Sequence, residues 1–525
     1  MSLEPIGAVT LAAGLIAFAF GPEVALFVLA VAALLGAAAA VQLPALGGSS
    51  IPPAPVVLGF VLIAVFRFER LRAAAFRSLV FPKPGFWLLV AVLYAVVTAW
   101  FMPRIFAGMT NVYSMARNDV GIGIVMLPLG PRASNITQSV YLLAGLLCFT
   151  AIAALATAGK ARTIAAAILV AAGLNLVFAA IDLAGHWAGQ LDLLAPIRNA
   201  NYRMLESGEI QGFKRIVGSF SEAGAYSYAS IGFYAFAASL WLDRYGAPLL
   251  GTIAGLSLLT LVLSTSSTAY AALALFSTVL YVGSIRRLVD TRASDRHFAH
   301  VWLGPVVFAA VVAGAMLVPQ VWSSVSALYD SAVTNKLSSQ SGIERMQWNA
   351  RALESFFDTY GFGAGLGSVR ASSFVVALLA NCGVVGLLLF CVFLATIVLR
   401  PRRRGAAEAA ATIGRAAAMA CVAKLFAATV SAGSVDLGLD FSIFAGLAAA
   451  TSVLPRAPAR RSGFVPLVGE PQATGGAVVQ SGPGPATEPV ASDAAGTPGR
   501  PAGPSRGRHS TEHAGRIPAD QAAGR

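Results

Sequence analysis

The stretch FVVALLANCGVVGLLLFCVFLATIVL, residues 374–399, decides the fold. It holds no charged side chain, and RPRRR (400–404) follows it at once. A helix needs roughly 20 apolar residues to cross the hydrocarbon core of a bilayer, and this run meets that length. Working outward in both directions, further apolar runs lie at 6–20, 23–41, 54–68, 86–102, 138–158, 163–185, 222–242, 247–263, 267–284, 301–318, 413–430 and 437–454. Runs 6–20 and 54–68 are short, which tilt or packing against neighbours can accommodate. The pattern predicts an all-α, polytopic integral membrane protein with about 12–13 transmembrane helices.

Composition agrees. The chain has 525 residues, of which 57% are hydrophobic and only 12% charged. Soluble domains carry about 25% charged residues, so this chain lacks the charge to coat a water-facing surface. The formal net charge is +13. Its Lys and Arg sit in short loops between apolar runs, which is how topology signals are arranged, and nucleic acid is excluded as a partner. The four cysteines, Cys148, Cys382, Cys391 and Cys421, all lie inside apolar runs. They read as small buried hydrophobes, with no CxxC or Cys/His cluster to indicate a disulfide or a metal. No basic region precedes Ile6–Phe20, so that run reads as a first membrane helix and not as a cleaved signal.

Basic clusters orient the chain. RFERLRAAAFR (67–77), GKAR (159–162), IRRLVDTRASDR (285–296) and RPRRR (400–404) alternate consistently along the runs. By the positive-inside rule they face the cytoplasm. Segments 103–137, 186–221 and 319–373 then fall on the extracytoplasmic face, with the N-terminus outside if every run spans. Within the large loop 319–373, GIERMQWNARALESFF places Ile343, Met346, Ala350, Leu353 and Phe357 on one helical face. Short amphipathic helices over the membrane mouth are expected there. From Arg456 the chain turns to Pro, Gly, Ala, Ser and Thr and cannot bury enough apolar surface to offset chain entropy. The organisation expected is a membrane domain, 1–455, and a disordered cytoplasmic tail, 456–525.

The outer loops carry more arginine than topology requires: Arg104, Arg117, Arg132, Arg198, Arg203, Lys214, Arg215, Lys336, Arg345, Arg351 and Arg370. Solvated loop arginines are the bland alternative for any one of them. As a set they suit phosphate, whose oxygens match the planar guanidinium fork. KRIVGSFSEAGAYSYAS (214–230) sets Arg215 just before an apolar run, with Ser219 or Ser221 placed to N-cap the helix and Glu222 at its start. Glu222 could equally serve only the helix dipole. SGIERMQWNARALESFFDTYGFGAGLGS (341–368) spaces Arg345, Trp348 and Arg351 at i, i+3 and i+6. Its GFGAGLG stretch, including Gly363 and Gly365, lacks the strand-then-helix setting of a dinucleotide fingerprint and reads as a tight turn. LSTSSTAY (263–270) is a polar break between two runs, most simply an outer turn. Asp182, His186, Asp436 and Asp440 lie near outer ends of runs, while His297 and His300 are expected to be solvated at the cytoplasmic side.

These segments resemble the bacterial O-antigen ligase and O-antigen polymerase superfamily. RIVGSFSEAGAYSYAS is similar to its Arg-x-x-Gly segment leading into a membrane helix. STSSTAYAALAL is similar to the Ser/Thr-rich start of its next outward-facing helix, with Ser267 where an arginine is usual. ERMQWNARALESFFDTYGFGAGLGS and ANCGVVGLLLF (380–390) resemble its large-loop block and the helix after it. The resemblance covers about residues 200–400. It implies about 12 helices and transfer of an undecaprenyl-pyrophosphate-linked oligosaccharide to an acceptor hydroxyl, at the outer face of the bacterial inner membrane, without metal or cofactor. It sets Arg215 and Arg345 as catalytic arginines, with Glu222 or Glu344 as the base. Lys214, Arg203, Trp348, Arg351, Arg370, Gly363 and Gly365 would bind substrate. Partners would be the lipid-linked donor, the glycan acceptor, membrane lipids and other polysaccharide-assembly proteins.

One departure narrows the reaction. Ligases of this superfamily usually carry a His near the end of the large loop, and the matching VRASSFVVALLANCG holds Ser372 near that place. No His occurs between His300 and His509. That favours a polymerase of O-antigen or exopolysaccharide units over a ligase acting on lipid A core or protein. A secondary transporter is the reading from another class. It would place polar residues near the bilayer midplane, whereas this chain concentrates them in outer loops.

Overall fold

The computed structural model describes residues 2–43, 49–118, 121–189, 192–200, 208–210, 213–246, 248–290, 293–332, 334, 338–399 and 408–451. The tail 456–525, Arg203 and Lys336 lie outside them.

The described chain is mainly helical. Its first half contains α1 (Pro5–Phe20), α2 (Pro22–Ala32), α3 (Pro53–Phe66), α4 (Glu69–Ser78), α5 (Pro84–Ile105), α6 (Ala133–Leu155) and α7 (Ala161–Trp187). After a long connection come α8 (Ala223–Leu242), α9 (Leu249–Leu263), α10 (Ser267–Val289) and α11 (Asp295–Leu317). The last are α12 (Pro319–Ala332), α13 (Gln340–Asp358), α14 (Phe374–Val398), α15 (Glu408–Val430) and α16 (Gly438–Ala450). Strands are few and antiparallel. They are β1 (Ser2–Leu3) with β2 (Val41–Leu43) and β3 (Ser49–Ile51), the hairpin β4 (Asn111–Asn118) with β5 (Gly121–Pro128), and β6 (Glu209–Ile210) with β7 (Phe213–Lys214).

Six stretches are long and apolar enough to cross a membrane: Pro84–Ile105, Ala133–Trp187, Ser267–Val289, Asp295–Leu317, Phe374–Val398 and Glu408–Val430. Ala133–Trp187 is two helices, because Gly159 at φ 88° breaks it between α6 and α7. The apolar helices α1, α2, α3, α9 and α16 are shorter. α8 has length enough, but it carries Ser227, Ser230 and Ser239, all buried among neighbouring helices. A helix shielded on all sides can hold hydroxyls that bond locally, as Ser227 Oγ does to Ala223 O at 2.6 Å.

The bundle has two distinct ends. At one, Lys160 pairs with Glu23 at 2.5 Å, joining the α6–α7 turn to the start of α2. At the same end Asp243, just past α8, accepts from Arg287 of α10 and from Arg415 of α15. His297 is buried there, 3.5 Å from Asp243, and is not the solvated side chain expected. The reason is local: the α11 N-cap Ser294 accepts from the His297 N–H and donates to Leu242 O at 2.6 Å, folding the ring inward. The opposite end gathers the described parts of the connections 106–132 and 188–222, the connection 359–373 and the short loop 431–437.

One further expectation needs correction. The run 23–41 is helical only to Ala32. Beyond it, Gly36 packs so close to Phe220 that an added Cβ would sit 2.7 Å from its ring, which fixes an irregular 33–40 against the 214–222 loop. Helix α13 forms in the large loop as expected, with Ile343, Met346 and Phe357 of its apolar stripe exposed and Gly342, Ala352 and Ser355 buried on the other side.

Candidate functional site

Three loops at the end opposite Asp243 build one site. The first is 214–222. Asp182, near the end of α7, accepts from the Val217 and Gly218 N–H groups at 2.8 and 3.2 Å. Arg198 donates to Asp182 at 2.7 Å and through Nε to Gly218 O at 2.9 Å. Both side chains of that pair are only 4% exposed. Lys214 also faces Asp182, at 3.8 Å. Ser219 Oγ donates to Leu34 O at 2.7 Å, so it does not cap α8. Glu222 is itself the N-cap residue, in an extended backbone, and its carboxylate makes no capping bond. Its charge is left for the site.

The second loop is 359–373. Gly363 and Gly365 both have positive φ, 85° and 95°. A Cβ on Gly363 would meet Gly383 N at 2.6 Å, and one on Gly365 would meet Thr98 O and Pro103 at 2.6 Å. The glycines let the loop press onto α14 and α5, a packing role and not a contact with the arginines. Asn381 Oδ1 accepts from Ser368 N and Val369 N, each at 3.1 Å. Asn349 of α13 accepts from Ser372 N at 2.7 Å and Ser373 N at 3.1 Å. Arg370 N donates to Tyr113 O of β4 at 2.8 Å. The backbone of Arg370 is therefore fixed from both sides.

The third loop is 431–437. Arg345 of α13 donates to Ser431 Oγ at 3.0 Å. The Arg370 guanidinium lies 5.6 Å from the Trp348 ring centroid and against the Cα of Gly433, where a Cβ would come within 3.0 Å of it. Ala432 N donates to Ser372 O at 3.0 Å, binding this loop to the second.

Arg215 and Arg370 thus lie within electrostatic reach of both Glu222 and Arg345. Burial pushes the Arg215 guanidinium below its ordinary range; Glu222 opposes that, and the Arg345 charge adds to it. Arg370 is pushed down by burial first, with Glu222 and Arg345 acting in the same senses. The Nε atoms of Arg215 and Arg370 are buried without a hydrogen-bond partner among the described residues. Three guanidinium groups within reach of one carboxylate, two of them with an unfilled buried donor, make a site that gains by taking an anion. Among the described residues no group of three or more His, Cys, Asp or Glu side chains converges to hold a metal.

Other residues singled out in the sequence lie elsewhere. Glu344 accepts from Gln340 at 3.2 Å in an exposed contact. Arg351 donates to Asn111 O at 2.6 Å and Thr110 Oγ1 at 3.1 Å, fastening α13 to the base of the hairpin. Lys214 belongs with Asp182. Asp440 pairs with Lys424 of α15, a fully buried lysine inside an apolar run, at 2.5 Å.

An open apolar crevice lies between α5, α6, α14 and α16. Val92, Leu146, Phe149, Phe390 and Phe393 are among its walls, and Val435–Gly438 form part of its lining. Along α14 it runs from Leu378 to Phe393, roughly 20 Å at helical rise. The 431–437 loop therefore borders both features: Ser431 and Gly433 touch the arginines, and Val435, Asp436 and Leu437 line the crevice. Sequence reading missed Ser431 and Gly433, because a loop reading SAGSVDL carries no arginine or aromatic to draw attention.

Compared with known proteins, the chain matches no protein-family model and no curated protein.

Proposed function

We propose that this chain is a multi-pass membrane glycosyltransferase that moves a glycan from a polyprenyl diphosphate, of the undecaprenyl type, onto an acceptor sugar hydroxyl. In this reading the six long apolar stretches cross the membrane, joined by those of the shorter apolar helices whose length and tilt allow it. The Asp243 end is cytoplasmic, by its basic residues, and the arginine site opens to the outside of a bacterial inner membrane. One observation carries the proposal: three arginines from separate segments gather near Glu222, two of them with buried Nε atoms unpartnered among the described residues, and the 431–437 loop that borders them also lines an apolar crevice. A donor with a doubly charged head and a long apolar tail satisfies both parts.

The chemistry follows from the parts. The acceptor hydroxyl oxygen attacks the anomeric carbon of the donor. The bond from that carbon to the phosphate oxygen breaks, and its electron pair leaves with the diphosphate. Arg215, Arg345 and Arg370 stabilise the charge as it develops, in a site whose low dielectric strengthens them. Glu222 takes the acceptor proton. With Ser372 near the place where the resembling ligases carry a His, repeat-unit polymerisation is favoured over ligation to lipid A core or protein.

The test is complementation of a deletion strain with Arg215→Ala, Arg345→Ala and Arg370→Ala, reading surface glycan length by gel. The expected result is loss of long polymer with normal insertion of each variant. Wild-type polymer from all three would overturn the proposal. A deletion that accumulates lipid-linked polymer beside an unmodified acceptor would move the assignment to ligase.

A further inference from the structure

We propose that the 431–437 loop is a positioning element of the arginine site, in which Gly433 and Ser431 set the places of the Arg370 and Arg345 guanidinium groups; this rests on the reading of that site as an anion site. The loop is too firmly anchored to be a passive turn. At its far end, Tyr228 Oη donates to Leu437 O at 2.6 Å. Tyr228 is itself held, since Lys424 Nζ donates to its carbonyl at 3.0 Å and lies 3.5 Å from its ring centroid. Lys424 also pairs with Asp440 at 2.5 Å, in the first turn of α16. At the near end, Ala432 N is bonded to Ser372 O, two residues from Arg370. Both ends are thus fixed by polar contacts, and the residues between them touch two of the three arginines.

The contact at Gly433 is steric. A Cβ there would lie 3.0 Å from Arg370 Cζ and Nη2 and 3.1 Å from Nη1. Such a contact is tighter than carbon normally makes, so one partner must move. The loop is pinned, and the arginine head is the end of a flexible side chain. Alanine at 433 therefore shifts the guanidinium and leaves the fold intact. Hydrogen-bond strength falls steeply with misalignment, so a small shift is felt by a bound anion. Ser431 acts by a bond and not by bulk: its Oγ accepts from Arg345 Nη1 at 3.0 Å. Threonine preserves that acceptor and alanine removes it.

The test uses the full-length protein in detergent micelles with inorganic pyrophosphate as probe, measuring affinity by calorimetry and melting temperature without ligand. Gly433→Ala is expected to weaken pyrophosphate binding about tenfold with an unchanged ligand-free melting temperature. Ser431→Ala should weaken it and Ser431→Thr should not. The decisive arm is the double variant Gly433→Ala/Arg370→Ala, which should bind no more weakly than Arg370→Ala alone, because residues acting through one another are not additive. Wild-type affinity in both Gly433→Ala and Ser431→Ala, or full additivity in the double variant, would overturn the positioning role while leaving the anion site standing. Should Gly433→Ala fail to fold, the Ser431 pair decides alone. A wild-type protein that does not bind pyrophosphate would overturn the anion-site reading and this inference with it.

Discussion

Arg345 Nη1 and Ser431 Oγ meet at 3.0 Å across 86 residues of chain. The bond ties α13 to the short turn between α15 and α16, and so joins two of the segments that build the arginine site. The consequences of that site can be measured residue by residue.

Glu222 separates binding from chemistry. Among the described residues, its carboxylate is the negative charge acting on both Arg215 and Arg370. Glu222→Gln should tighten inorganic pyrophosphate binding, since a competing anion is gone. It should also cut glycan transfer on the order of 10²–10⁴-fold, the usual contribution of a positioned general base. Binding and transfer changing in the same direction would remove Glu222 from the role of base.

Asp182 is expected to matter for stability and for Arg215 placement together. It pairs with Arg198, both side chains being 4% exposed, and it holds the Val217 and Gly218 amides. Breaking a buried pair by removing one partner costs about 3–5 kcal/mol. Asp182→Ala should lower the melting temperature of the detergent-solubilised protein strongly and weaken pyrophosphate binding, with Asp182→Asn intermediate. Wild-type melting of Asp182→Ala would show that the pair does not hold the loop.

Asp436 gives a pH signature. Burial raises its carboxyl above the ordinary carboxylate range, the Gly438 N–H opposes this, and the Asp440 charge adds to the rise. Tyr141 and Tyr228 are its other titratable neighbours. An acid whose folded value is raised favours folding fully below its unfolded value, about 4, and that contribution is lost as pH rises through the folded value. Asp436→Asn should therefore melt higher than wild type at neutral pH, by a margin that shrinks as the pH falls toward 4. A margin that does not change with pH would contradict the assignment.

Much of the fold is legible in the chain. Apolar runs of membrane length become helices at nearly the expected places, because length and hydropathy are local properties. The exceptions are set by distant contacts. The 23–41 run stops at Ala32 because the following segment is shaped by Phe220 and by Ser219, whose carbonyl takes the Ala37 N–H. The expected serine cap of α8 is absent because Ser219 bonds to Leu34 instead. Arg215, Glu222, Arg345, Trp348 and Arg370 could be chosen in advance by residue type. Sorting them from Glu344 and Arg351 could not, since Arg345 and Arg351 differ only in which face of α13 they occupy. Ser431 and Gly433 were invisible, their importance being what they touch.

The most direct test of the central claim is the affinity of the purified protein in lipid nanodiscs for undecaprenyl diphosphate against undecaprenyl monophosphate. A clear preference for the diphosphate, lost in Arg215→Ala, Arg345→Ala and Arg370→Ala alike, is the result this structure predicts. Equal affinity for the two lipids, unchanged by the three substitutions, would contradict it.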